Sequence, residues 1–250
     1  MVRDTRSRRR GAIEPSSLGI DSKVVLVGRR GKQLVLHFEN GTATVIRLGM
    51  SGRLEIPSGR GFVPPHRHVS WTFHGTGLEP VRVWFVDPRR FGGVHLAENP
   101  EDLEGRLLLG LGPEAPEVRP KDVAEAFGRT RRAIKVVLLD QGMIAGIGNI
   151  YADEALHQAG IHPARPAADL EPAELRRLCV RIRKVMEAAI EAGGSTLRDH
   201  RLPDGSPGGY GSQHRVYGRQ GAPCPSCATK LKGMRLAGRS TTYCPRCQSA

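Results

Sequence analysis

Four cysteines near the end of the chain have the type and spacing of a metal site. Cys224-Pro-Ser-Cys227 is followed, after a sixteen-residue span, by Cys244-Pro-Arg-Cys247. Each Cys-x-x-Cys turn aims two sulfurs at one point. The stretch between them suits two antiparallel strands that close the turns around a tetrahedral ion. Four thiolates leave no open position for water, so the expected Zn2+, one per chain, is a structural ion and not a reagent. The other reading, two disulfides, needs an oxidising compartment. The N-terminal run from Met1 to Arg10 lacks the apolar stretch of a secretory signal. Lys230, Lys232, Arg235 and Arg239 lie between the pairs, so the expected hairpin is basic. The fifth cysteine, Cys179, falls in a helical pattern and reads as a small core residue.

A second constellation is Gln141-Gly-Met-Ile-Ala-Gly-Ile-Gly-Asn149. A glycine-rich turn that opens a helix presents backbone N–H groups and the positive end of a helix dipole, a combination that holds a phosphate. Overall charge points the same way. Across 250 residues, 38 Lys+Arg against 25 Asp+Glu leave a net charge of +13, and neutralising phosphates is the commonest use of such an excess. Aromatic residues are only 5%, which favours duplex binding over stacking along single strands. No apolar run is long enough for a membrane span, so the expected place of action is the cytoplasm or nucleoid.

The elements that must position these residues divide the chain. From Lys23 the pattern is β, with runs at Lys23–Val27, Gln33–Phe38, Thr42–Leu48, Val69–Phe73 and Val81–Val86, and an Asn40-Gly41 turn. Residues 1–110 are therefore expected to form a β-rich N-terminal lobe. Residues 111–120, with three prolines, read as a linker. The period then becomes helical. Helices are expected at Arg132–Leu139, Asn149–Ala159 and Pro172–Ala192, the last with an apolar stripe at Leu175, Leu178, Ile182, Val185 and Ala189. Residues 121–200 make a helical domain, 201–221 a flexible glycine- and proline-rich loop, and 222–250 the finger. The fold class is α+β: a β-sandwich-like lobe, then a helical lobe bearing a four-cysteine zinc hairpin.

Gly146-Ile-Gly148-Asn149-Ile-Tyr-Ala-Asp-Glu154, followed at a distance by a zinc hairpin, resembles the helix-two-turn-helix and finger of the Fpg/Nei (formamidopyrimidine-DNA glycosylase and endonuclease VIII) family. Leu48-Gly-Met50-Ser-Gly-Arg-Leu54 and Asp87-Pro-Arg89-Arg90-Phe91-Gly92 resemble that family's loops that fill the gap left by an everted nucleotide. The resemblance implies a DNA repair enzyme acting on duplex DNA with a damaged base or abasic site, as a glycosylase with AP lyase activity and as a monomer. It makes Met50, Arg89 and Phe91 void-filling residues, chemistry that suits an apolar wedge, a guanidinium and a ring. It also implies DNA contacts at His66, Arg131, Lys135, Asn149 and Arg239, with Arg239 serving the catalytic site as well.

One end of the pattern differs. The family begins, after methionine removal, with proline and glutamate, the proline amine attacking the sugar C1′. This chain begins Met1-Val2-Arg3-Asp4. An α-amine titrates well below lysine, so a Val2 amine exposed by removal of Met1 is one expected nucleophile, with Asp4 as its carboxylate. Lys32, in Arg29-Arg-Gly-Lys32, matches a family lysine that assists strand cleavage and is a second amine. Two other readings stand beside these: a damage-binding protein of this fold without lyase chemistry, and an RNA- or ribosome-associated zinc-ribbon protein.

Overall fold

The computed structural model describes residues 2–3, 12–13, 21–56, 63–196, 201–202 and 204–249. The chain forms two compact units, one of residues 1–109 with 195–209, the other of residues 110–194 with 210–250.

In the first unit β1 (Val2–Arg3) pairs antiparallel with β2 (Ala12–Ile13). An antiparallel four-stranded sheet follows in the order β3 (Val24–Arg30), β4 (Gln33–Phe38), β5 (Ala43–Arg47) and β9 (Gly93–Ala97). A three-stranded sheet has the order β6 (Arg53–Glu55), β8 (Val81–Val86) and β7 (Arg67–Phe73). Leu36, Phe38, Ile46 and Val94 from the first sheet bury against Val69 and Phe85 from the second, which makes the expected sandwich. Strands β6 and β9 are not visible in the sequence pattern. β6 has three residues, and β9 starts at Gly93, in a pair of glycines that reads as a turn. After β9 comes a short helical turn, α1 (Pro100–Asp102), capped by the Asn99 side chain and continued by a π-helical turn at Leu103–Leu107.

The second unit holds α2 (Pro120–Gly128), α3 (Ile134–Leu139), α4 (Asn149–Ala159) and α5 (Pro172–Glu191), then the hairpin β10 (Lys232–Leu236) and β11 (Arg239–Tyr243). Pro172 opens α5, a position where its missing N–H costs nothing, and Gly193 with Gly194, at φ of 69° and 82°, stops it. The α5 stripe Leu178, Ile182 and Val185 buries against Ile134, Leu138 and Leu156 of the other helices.

Three boundaries differ from the sequence reading. Residues 111–120 are no free linker: Glu114 bridges to Ala145, and Ala115 and Val118 are wholly inaccessible in the helical core. Helix α2 escapes the sequence pattern, because Pro120 looks like the end of a loop and is instead the first residue of a helix whose Val123 and Phe127 are buried. The expected loop 201–221 is tied down from Tyr210 onward, where Arg215, Val216 and Tyr217 each donate an N–H at 2.9 Å to the buried carboxylate of Glu154. The finger therefore belongs to the helical unit. Among the described residues no helix is long and apolar enough to cross a membrane.

Candidate nucleic-acid interface

The four cysteine sulfurs lie within 4.8 Å of one another. Cys227 and Cys244 are 3.4 Å apart, Cys224 and Cys247 4.0 Å. A tetrahedron with zinc–sulfur bonds of about 2.3 Å has edges of about 3.8 Å, so the sulfurs already stand where that ion needs them. Backbone N–H groups of Ser226 and Cys247 donate to the sulfurs of Cys224 and Cys244 at 3.4 Å, as hydrogen-bonded thiolates require. Hydrogen bonds from Thr229 hold the Cys227 thiol down at about 6, while burial pushes Cys244 and Cys247 up. A divalent cation at the centre keeps all four deprotonated, so the residues fit one structural zinc.

Between the cysteine pairs, Ala237 and Gly238 both have positive φ, 46° and 74°. That is the two-residue turn whose twist matches the strands it joins. It leaves Arg239 exposed at the hairpin tip, paired across the strands with Leu236.

The hairpin is held from behind by α3 and α4. Lys135 is wholly inaccessible, and its ammonium contacts Asp153 Oδ1 at 2.6 Å, Ser240 O at 2.7 Å and Thr241 Oγ1 at 2.8 Å. Asp153 Oδ2 accepts the Thr242 N–H at 3.0 Å, and Asn149 Nδ2 donates to Ser240 O at 3.0 Å. Burial pushes Lys135 down and Asp153 up to about 6, each restrained by the charge of the other. Lys135, expected to touch DNA, is thus enclosed in the unbound chain. Its three protons are all donated inside the protein, none is left for a phosphate, and the side chain acts as a clamp on the strand that carries Arg239.

Asn149 is the first residue of α4, after an extended Gly148 that brings no side-chain cap. One Nδ2 hydrogen of Asn149 goes to Ser240 O, and the second stands with the backbone N–H of the helix N-terminus as what this residue offers an anion. Arg131 is exposed and pairs with Asp169 at 2.8 Å, a surface contact weak enough to be exchanged for a phosphate.

In the first unit a buried carboxylate organises the two loops marked by the sequence. Asp87 accepts the Ser51 hydroxyl at 2.5 Å and the Gly92 N–H at 2.7 Å, and Ser51 Oγ accepts the Arg89 N–H at 3.2 Å. Gly49, at φ 68°, packs so closely that a Cβ there would lie 2.7 Å from the Gly92 nitrogen. The loops thus touch backbone to backbone and push their side chains outward. Met50 and Phe91 are 58% and 54% exposed. The Arg89 guanidinium joins them, donating to Met50 O at 3.4 Å and standing 5.7 Å from the Phe91 ring centre. His66 is exposed with φ 58°, and its carbonyl accepts the Asp87 N–H at 3.0 Å, which ties this loop to the same aspartate.

Lys32 is exposed in the turn between β3 and β4, after Gly31 at φ 56°. Val2 stands opposite Ile13 in the β1–β2 pair, and Asp4 lies outside the described residues. The sequence reading does not find the supporting groups Ser51, Asp87, Asp153, Glu154 and His157. The four-residue spacing of 149, 153 and 157 is a legible signal of one polar helix face.

The model for the formamidopyrimidine-DNA glycosylase N-terminal domain matches residues 2–94, that for the formamidopyrimidine-DNA glycosylase H2TH domain residues 109–201, and that for a zinc finger found in FPG and IleRS residues 221–250. The chain is 41% identical over 242 residues to a formamidopyrimidine-DNA glycosylase of Thermus thermophilus, covering 93% of this chain and 85% of that one. It is 46% identical over 228 residues to the protein of that name from Methylococcus capsulatus, with 89% and 80% covered. The crystal structure of MutM (Fpg) from Thermus thermophilus superposes with a TM-score of 0.80 at 40% identity, over 91% of this chain and 83% of that one. The Lactococcus lactis Fpg in complex with DNA containing an abasic site does so at 0.82 and 29% identity, over 92% and 83%.

Proposed function

Because this chain belongs to the formamidopyrimidine-DNA glycosylase family, we propose that it everts a damaged nucleotide from duplex DNA, with Met50, Arg89 and Phe91 occupying the space that opens. It is a DNA-repair glycosylase that binds damaged or abasic duplex DNA. The observation that carries the assignment of roles is one guanidinium, held by the Met50 carbonyl and set beside the Phe91 ring, between two loops whose apolar side chains are exposed. A solvent-exposed methionine and phenylalanine cost free energy in the unbound protein and regain it by replacing base stacking, while Arg89 has donors for the orphaned base. Arg239, Arg131, His66 and the N–H groups at Asn149 hold phosphates in this reading, and the protein works on DNA in the cytoplasm, at the nucleoid.

The chemistry requires an amine. Attack on C1′ expels the base and leaves an imine, and loss of a C2′ proton then breaks the C3′–O bond by β-elimination. Lys32 is an exposed amine in a motif that matches the family, and a Val2 α-amine, with Asp4 as proton carrier, is the alternative nucleophile. Borohydride reduces the imine carbon–nitrogen bond to a stable amine. Trapping on lesion-bearing DNA followed by peptide mapping is expected to give one crosslinked peptide carrying Val2 or Lys32. Tight abasic-DNA binding with no crosslink would instead establish a binding protein without lyase chemistry.

A further inference from the structure

Helix α4 presents a polar row at Asn149, Asp153 and His157, each four residues from the last. The first two hold β11. The third faces the cysteine site: its ring is buried, with Nε2 3.4 Å from the sulfur of Cys224. Its other nitrogen, Nδ1, is buried with no hydrogen-bond partner among the described residues.

We propose that His157 belongs to the metal centre without binding the metal, donating its Nε2–H to the Cys224 thiolate. A metal-bound thiolate carries no proton and can only accept, so the ring nitrogen facing it must be the donor. That choice also suits the other side of the ring. With the proton on Nε2, the unpartnered Nδ1 is a bare acceptor, whereas the opposite tautomer would bury an N–H with nothing to receive it and point two lone pairs at each other. Four thiolates around a dication leave a net charge of −2 in a largely buried place, and each hydrogen bond to sulfur spreads that charge. Cys224 thus receives two donors, the Ser226 N–H from its own turn and the His157 ring from the helix. The consequence is mechanical as well as electrostatic. The helix whose first residue lies at the phosphate site reaches, two turns later, a zinc ligand, so the metal anchors both the finger and α4.

The zinc-loaded full chain provides the test, and neither readout depends on activity toward DNA. A long-range proton–nitrogen correlation spectrum of the unmodified protein is expected to show His157 protonated at Nε2 and bare at Nδ1; protonation at Nδ1 alone overturns the proposal. Zinc release to a chromophoric chelator is expected to be about tenfold faster in His157→Phe, which fills the space without a donor. In His157→Gln, whose amide nitrogen reaches the place of Nε2, it is expected to stay near the unmodified rate. Equal acceleration in both variants, or none in either, overturns the donor role. Should His157→Phe fail to fold, the spectrum of the unmodified protein decides.

Discussion

Lys135 Nζ lies 2.6 Å from Asp153 Oδ1, joining α3 to α4 with both side chains closed to water. Removing one partner leaves the other charge buried and unmatched, which is costlier than removing both. Lys135→Met alone, or Asp153→Leu alone, is expected to destabilise the zinc-loaded protein by about 3–5 kcal/mol. Lys135→Met combined with Asp153→Leu should lose less than the two single changes added together. Urea unfolding of the three variants measures this, and simple additivity would show that the two charges do not depend on each other.

The same lysine separates two kinds of contribution to DNA binding. A residue that neutralises a phosphate releases a counterion, so its loss lowers the slope of log affinity against log salt by about 0.9. Arg239→Ala is expected to do this while weakening binding to all sequences alike. Lys135→Met is expected to weaken binding, by releasing the strand that bears Arg239, with the slope unchanged. A lower slope for the Lys135 variant would place its ammonium on DNA, contrary to its three internal contacts.

Met50→Ala and Phe91→Ala should act on discrimination and leave stability nearly untouched, because both side chains are more than half exposed. Replacing one stacking contact with a base is worth about 1–3 kcal/mol. Each variant is therefore expected to bind abasic duplex more weakly, Phe91→Ala by roughly 5- to 150-fold, with binding to intact duplex little altered. Equilibrium titrations on the paired duplexes test this. Unchanged preference for the abasic site would return both residues to an ordinary surface role.

How much of this is legible in the sequence depends on how local the signal is. The cysteine spacing identifies the metal site because both halves of the pattern are short turns, and the Asn149–Ala159 helix carries its own stop at Gly160, φ 69°. Met50 and Phe91 are found through their motifs, since side-chain type alone would send both to the core. The surroundings of Lys135 are hidden for the opposite reason. Its motif is visible, but its three acceptors come from Asp153, Ser240 and Thr241, up to 106 residues away, and no local pattern records such a convergence. Asp87 behaves likewise: its place in Asp87-Pro-Arg89 is plain, while its hold on Ser51, 36 residues earlier, emerges only when the loops meet.

His214 gives the second unit a pH dependence of predictable sign. It is buried between Tyr210 and Tyr217, with ring centres 5.7 Å away on each side, and burial pushes its imidazole below the ordinary 6.5, with Glu154 only partly opposing. The unfolded chain therefore binds a proton that the folded one refuses. The resulting stability is fully present above pH 6.5 and is lost as pH falls toward the depressed folded value. His214→Phe keeps a ring against both tyrosines and removes the titration. Between pH values of about 7.5 and 5.5 the unmodified protein is expected to lose more stability than this variant, with one proton over one pH unit, about 1.4 kcal/mol, as the ceiling on the slope of the difference. Both proteins share the cysteine site, so proton uptake by thiols cancels in the difference between their unfolding curves. Parallel pH profiles would mean that the His214 imidazole titrates alike in the folded and unfolded chain, and that its burial among the tyrosines does not exclude the charged form.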